Sequence, residues 1–273
     1  MSLEEIMNST KAPHWTSMKS SACISFDLSR LKKEIRPFRL HFFSRLRSTN
    51  DHAALLRKRG ALFAPAIVLT PNQIAGRGRG RNTWWSKAGA LTVTFVLPID
   101  HTRDPHQIPL IAGLAMRNAA AELSGDHSIG LKWPNDVVHD NKKLAGLLCE
   151  RMDRVDLIGI GLNVNIDPAD APKAIRNRLT SLLLIAGKPL DMNEVLIEVS
   201  RQLLRVWSKR QEHPFAALLA EYDRYHTLTG RRLSIIDGES TITGQCEGLD
   251  SAGRLLVRGE TLHRIIAGQV ETI

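Results

Sequence analysis

A block of alternating glycine and arginine sits between two runs of strand-forming residues, and no other feature constrains the fold as much. The block is Gln73-Ile74-Ala75-Gly76-Arg77-Gly78-Arg79-Gly80-Arg81-Asn82-Thr83-Trp84-Trp85-Ser86. Residues 66–70 before it and 91–97 after it are dense in Val, Ile, Leu and Thr, so both ends of the block are expected to be held on a sheet. Glycine permits positive φ and close backbone approach to a ligand. Arginine adds a fixed charge and a planar fork suited to carboxylate or phosphate oxygens. The block therefore reads as a cationic loop able to close over an anion. Arg-Gly repeats beside aromatics also serve nucleic-acid binding, through stacking and phosphate contacts, and that alternative stays open on the block alone.

Around this loop the chain reads as alternating strands and helices. Residues 1–37 form a weakly patterned arm, partly ordered at most, with a short helix possible at 28–35 ahead of Pro37. A strand is expected at 38–43. Ser48-Thr49-Asn50-Asp51 then gathers four N-capping residue types ahead of a helix at 53–59, stopped by Gly60. One cap needs only one of them, so the others are free to face a polar ligand or simply to cap. Residues 107–123 carry Ile108, Ile111, Ala112, Ala115, Ala119 and Leu123 at helical spacing. Lys132-Trp133-Pro134-Asn135-Asp136 marks a strand break, because Pro134 cannot donate to a ladder. Lys143 then starts the return strand of a hairpin that runs to Glu150.

The strand at 157–165 holds Gly159, Gly161 and Asn163, where the glycines signal close approach and the asparagine asks for a buried hydrogen bond or a ligand. Residues 167–178 read as loop, Thr180-Ser181 as a cap for 182–186, and 193–210 and 214–222 as helices, with Pro214 suited to a first turn. From Gly230 onward, short alternating strands at 232–236, 240–249, 254–257 and 261–266 with turns at Asp237-Gly238 and Ala252-Gly253 suggest a small β-barrel-like domain.

Several chemistries are excluded. GxxxxGK[ST] is absent; the third glycine of GxGxxG would fall at Arg81 or Val164. There is no HExxH, zinc-ligand spacing or GxSxG elbow, and His101 and His106 read as loop histidines. Cys23, Cys149 and Cys246 are too scattered for a disulfide framework and suit a reduced, cytoplasmic compartment. No apolar run approaches a membrane span, and the N-terminus makes a poor signal peptide. A net charge of +9 favours acidic partners. Three polar stations remain at strand ends: residues 48–51, the Arg block, and 132–143. Basic residues dominate two of them, as suits charge developing on phosphate oxygens.

Taken together, these stations resemble the biotin protein ligase family. The resemblance is carried by Ser48-Thr49-Asn50, Gln73 with Ala75-Gly76-Arg77-Gly78-Arg79, Trp84 and Ser86, Lys132-Trp133-Pro134-Asn135-Asp136, Lys143-Leu144-Ala145-Gly146, and Gly159, Gly161 and Asn163, in that order. It covers residues 38–273. It implies an α+β fold: a mixed central sheet with flanking helices, of the class II synthetase-like biotin/lipoate ligase kind, over residues 38–226. A small SH3-like barrel would follow at 227–273. It implies biotin as substrate, ATP with Mg²⁺, a biotinyl-5′-AMP intermediate, and transfer to a lysine of a biotin carboxyl carrier domain.

Carried over residue by residue, Ser48, Thr49, Asn50, Gln73, Gly76, Gly78 and Gly146 belong to the biotin site. Arg77 and Arg79 would order over the acyl phosphate. Lys143 would contact the biotin carboxylate and then the adenylate. Trp84 would pack near the biotin tail and adenine, and Asn135 and Asn163 would serve the nucleotide. Asp136 would orient the acceptor amine. No resident metal is implied. Two departures stand out: Ile74 replaces the usual threonine, and Arg81 has no matched position. The arm is too short for a winged helix-turn-helix, so no DNA partner is expected, and no membrane. A homodimer is compatible by family analogy. The lipoate ligases of the wider superfamily are the alternative, with the Arg-Gly loop and Lys132–Asp136 favouring biotin.

Overall fold

The computed structural model describes residues 25–99, 104–212, 215–237 and 240–273. The expectations on residues 1–24, His101, Pro214 and Gly238 lie outside them. The chain opens with α1 (Leu28–Glu34), whose N-cap Asp27 accepts from the Arg30 N–H. Leu31 and Ile35 are buried in the main core, so this part of the expected arm packs with the body of the protein. Next, β1 (Arg39–Phe42), α2 (Thr49–Lys58) and β2 (Ala66–Thr70) form a parallel β–α–β unit. The Gly-Arg block is a hairpin of β3 (Gly76–Arg77) and β4 (Thr83–Trp84).

The long strand β5 (Ala90–Pro98) and the helix α3 (Ile108–Ser124) follow. An antiparallel meander of β6 (Gly130–Lys132), β7 (Asp136–His139), β8 (Lys142–Met152) and β9 (Val155–Asn163) completes the sheet, in the order β1-β2-β5-β9-β8-β7-β6. The chain then forms α4 (Lys173–Arg176), α5 (Leu182–Ala186), α6 (Met192–Glu212) and α7 (Phe215–Asp223). The loop expected over 167–178 thus contains a helical turn.

A second sheet comprises β10 (Arg232–Asp237), β11 (Ser240–Leu249), β12 (Leu255–Arg258), β13 (Leu262–Ile265) and β14 (Gln269–Thr272). Its order is β13-β12-β11-β10-β14. This is the antiparallel arrangement of an SH3-like unit. Its end strands β13 and β14 do not pair among the described residues, so the sheet stays open where a closed barrel was expected. The last strand has one buried residue, Val270, among polar neighbours, which is why alternation did not reveal it.

The two faces of the large sheet differ, and the difference makes the site. On one face Ile158, Ile160, Leu162, Ala145 and Leu147 join the main core beneath α3 and α6. The register defines the other face as cross-strand rows. Ala66, Val96, Leu157 and Glu150 form one row; Val68, Thr94, Gly159 and Leu148 the next; Thr70, Thr92, Gly161 and Gly146 the third. Helix α2 covers the apolar end, through Ala53 in a cluster with Val68, Val96 and Leu157. Toward the other end the side chains shrink to threonine and glycine, and the sheet floor carries no large side chain of its own.

Candidate active site

This floor is the base of a cavity of about 810 Å³. All three polar stations line it: Ser48, Thr49, Asn50 and Gln73 at one end; the hairpin with Arg77, Gly78, Arg79 and Trp84 above; Asn135, Asp136, Lys143, Gly146 and Asn163 along the side. Gly76 alone of the expected residues does not line it. The second sheet supplies a further wall through Gly268, Gln269, Val270 and Glu271, none of which the sequence signalled.

At the first station, Ser48 caps α2 by accepting from Asp51 N–H at 3.3 Å. Gln73 Oε1 accepts from both Thr49 N–H, at 2.8 Å, and Thr49 Oγ1, at 3.2 Å. That fixes the Gln73 amide beside α2. Asn50 is spent within the protein: its Nδ2 donates to Leu148 O (3.0 Å) and to Glu150 Oε2 (2.8 Å), and its Oδ1 accepts from Thr94 Oγ1 (2.6 Å). The amide packs against Gly159, where a Cβ would stand 2.3 Å from Asn50 Oδ1.

The hairpin's glycines have separate reasons. A Cβ on Gly76 would meet Trp84 O at 2.6 Å, and Gly80 takes φ +60 at the tip. The tip is closed by Gly78 N–H donating to Asn82 O and Asn82 N–H donating to Arg79 O. Ser86 Oγ donates to Gln73 O at 2.8 Å and ties off the base. Trp84 lies over the paired glycines Gly146 and Gly161. A Cβ on Gly161 would come within 2.2 Å of its ring, and its buried Nε1 has no hydrogen-bond partner among the described residues.

The two hairpin arginines Arg77 and Arg79 differ. Arg77 Nη2 is 2.7 Å from Asp51 Oδ1 and 2.7 Å from Glu150 Oε2. The hydrogen bonds that Arg77 donates to Glu150 hold its pKa above the ordinary arginine value. Arg79 is half-buried on the cavity wall, and its guanidinium makes no hydrogen bond or ion pair among the described residues. Burial pulls its pKa down, opposed by the charge of Asp136. A desolvated, unpaired cation is a receptor for an anion.

At the third station β6 stops at Lys132 and β7 starts at Asp136, as Pro134 requires. Asn135 Nδ2 donates to Leu147 O at 2.7 Å. Residues 143 and 146 would face opposite ways in a regular strand. A bulge between Val137 and Val138 sets two residues of β8, Lys143 and Leu144, against one of β7. Leu144 is thereby buried, and the Lys143 chain lies against Gly146. Lys143 Nζ is 2.7 Å from Asp136 Oδ1, a charge contact outside hydrogen-bond alignment. Asn163, buried, donates to Thr180 O at 3.0 Å and Lys143 O at 3.4 Å, which answers its place in a strand by a buried hydrogen bond.

Glu150 was missed in the sequence. Counting by two along β8 from Gly146 would have placed it on the site face. Among the described residues no group of three His, Cys, Asp or Glu side chains could hold a metal ion. No helix among the described residues is long and apolar enough to cross a membrane.

Residues 42–167 match the Biotin/lipoate A/B protein ligase family. The biotin--[acetyl-CoA-carboxylase] ligase of Mycobacterium tuberculosis is 31% identical over 216 residues, covering 76% of this chain and 79% of that protein. The bifunctional ligase/repressor BirA of Bacillus subtilis is 29% identical over 252 residues, covering 88% and 76%. The structure of a biotin protein ligase from Aquifex aeolicus in complex with biotin and ATP superposes with a TM-score of 0.77 at 29% identity, covering 86% of this chain and 98% of that one.

Proposed function

Since this chain belongs to the biotin protein ligase family, we propose that it activates biotin as biotinyl-5′-AMP and passes it to a lysine of a carboxylase carrier domain. The observation that carries the site reading is one cavity that brings the cations Arg79 and Lys143 together with the fixed Gln73 amide. The biotin ring would take the Ser48, Thr49 and Gln73 end. Its tail would run toward Lys143 alongside the Trp84 ring, which itself lies on Gly146 and Gly161. The nucleotide would lie along Asn135, Asp136 and Asn163, against the wall formed by β14. Mg²⁺, riding on the triphosphate, would offset its charge.

In the first step a carboxylate oxygen attacks the α-phosphorus and the bond to the β-phosphate oxygen breaks, releasing pyrophosphate. Both reactants are anions, so they repel. Lys143, exchanging Asp136 for the substrate carboxylate, and Arg79 reduce that repulsion and hold the pair in line. In the second step a neutral lysine amine attacks the acyl carbon, the bond to phosphate breaks, AMP leaves and the nitrogen gives up a proton. Asp136 would orient that amine once Lys143 has turned away. The hairpin keeps water from the anhydride in between.

Incubation of the chain with ATP, Mg²⁺ and biotin should give biotinyl-AMP by mass spectrometry, and label transfer to a carrier domain when one is added. Formation of lipoyl- or octanoyl-AMP alone would overturn the substrate.

A further inference from the structure

We propose that Arg77 is a positioning residue: Asp51 and Glu150 clasp its guanidinium and lock the root of the lid to the sheet, so that Arg79, and not Arg77, meets the acyl phosphate. This rests on the ligase reading for what the lid covers. Three elements meet at the clasp. Asp51 comes from the first turn of α2, Glu150 from β8, and Arg77 is the last residue of β3. Arg77 Nη2 reaches Asp51 Oδ1 at 2.7 Å and both Glu150 oxygens, at 2.7 and 3.0 Å. Asn50 Nδ2, itself bound to β8 at Leu148 O, also donates to Glu150 Oε2, which ties the carboxylate to the start of α2.

Two carboxylates on one guanidinium leave the group net negative, so it has no charge to offer an incoming anion. Arg79, two residues on, has no such partner. The clasp therefore divides the hairpin. Its root, where Gly76 pairs with Trp84 and Arg77 with Thr83, is fixed over the Gly146 and Gly161 floor. Its tip, residues 78–82, is held by its own turn and lies outside the clasp. Fixing the root preorganises the biotin end and should act on biotin binding more than on chemistry.

The test uses the full chain and the variants Glu150→Gln, Asp51→Asn, Arg77→Gln and the double Arg77→Gln/Glu150→Gln in biotin-dependent ATP–pyrophosphate exchange. Each single variant should raise KM for biotin roughly three- to tenfold, as loss of one or two partly exposed ion pairs allows, with kcat within about twofold. The double should be no worse than Arg77→Gln, because the parts act as a unit. Without ligands, trypsin should cut after Arg79 and Arg81 faster in Glu150→Gln than in the unaltered chain. A fall in kcat at constant KM for Arg77→Gln, with Glu150→Gln unaffected, would assign Arg77 to the anion directly and overturn the clasp. So would unchanged KM and cleavage in Glu150→Gln. If the unaltered chain makes no biotinyl-AMP, the ligase reading fails and the trypsin comparison still decides the clasp.

Discussion

Charge pairing separates the cations of this site into those already neutralised and those waiting. Among the described residues Lys143 has one carboxylate partner, Asp136, at 2.7 Å, and Arg79 has none. Removing each should therefore fail differently. In Lys143→Ala the two reacting anions lose the cation between them, and pyrophosphate exchange should fall about 10²- to 10³-fold; exchange at the original rate would exclude Lys143 from the first step. In Arg79→Gly the adenylate should still form but leave early. One charge-assisted contact of about 1.5–3 kcal/mol converts to release faster by roughly ten- to a hundredfold. Single-turnover release of biotinyl-AMP measures this, and an unchanged rate would reject the contact.

Among the elements, the paired strands β8 and β9 do most to shape the site, because their glycines sit side by side. Gly161→Ala would put a methyl 2.2 Å from the Trp84 ring, a contact relieved only by lifting the tryptophan. Biotin KM should rise about tenfold or more while the melting temperature holds, since the ring is on the surface of the core and not in it. Gly159→Ala would instead displace Asn50, whose three hydrogen bonds join α2, β5 and β8. That variant should lose about 1–3 kcal/mol of stability in urea denaturation; equal stability for the two variants would count against this division. These glycines were legible in the sequence as sites of close approach, and the helical faces of α3 and α6 were legible from their apolar period. What occupied each glycine was not, because Asn50 and Trp84 are distant in sequence and only the register brings them there. Glu150 was obscured for the same reason. The bulge at Leu144 was hidden too, since a one-residue shift leaves no trace in composition.

At the scale of the molecule, the cavity depends on how the second sheet is held to the first, because β14 forms one of its walls. The seam runs through Trp133 Nε1, which donates to Gly253 O at 3.1 Å, and through the segment 225–227, which pairs with Leu131. His226 lies in that segment, with Nδ1 3.0 Å from Thr229 Oγ1 and a buried Nε2 that has no hydrogen-bond partner among the described residues. Burial lowers its pKa from 6.5 to about 4. The folded protein thus holds a neutral imidazole where the unfolded chain would bind a proton. Stability is full above the unfolded value near 6.5 and is lost as pH falls from there toward about 4. Between pH 7.5 and 5 the loss from this group is about 2 kcal/mol. Urea denaturation at the two pH values should show it, and His226→Gln should flatten the difference by that amount, whatever its own stability. An equal pH dependence in both proteins would mean that His226 does not titrate against folding. Because the same seam carries β14 to the cavity, nucleotide KM should rise over this pH window in the unaltered chain and rise less in His226→Gln.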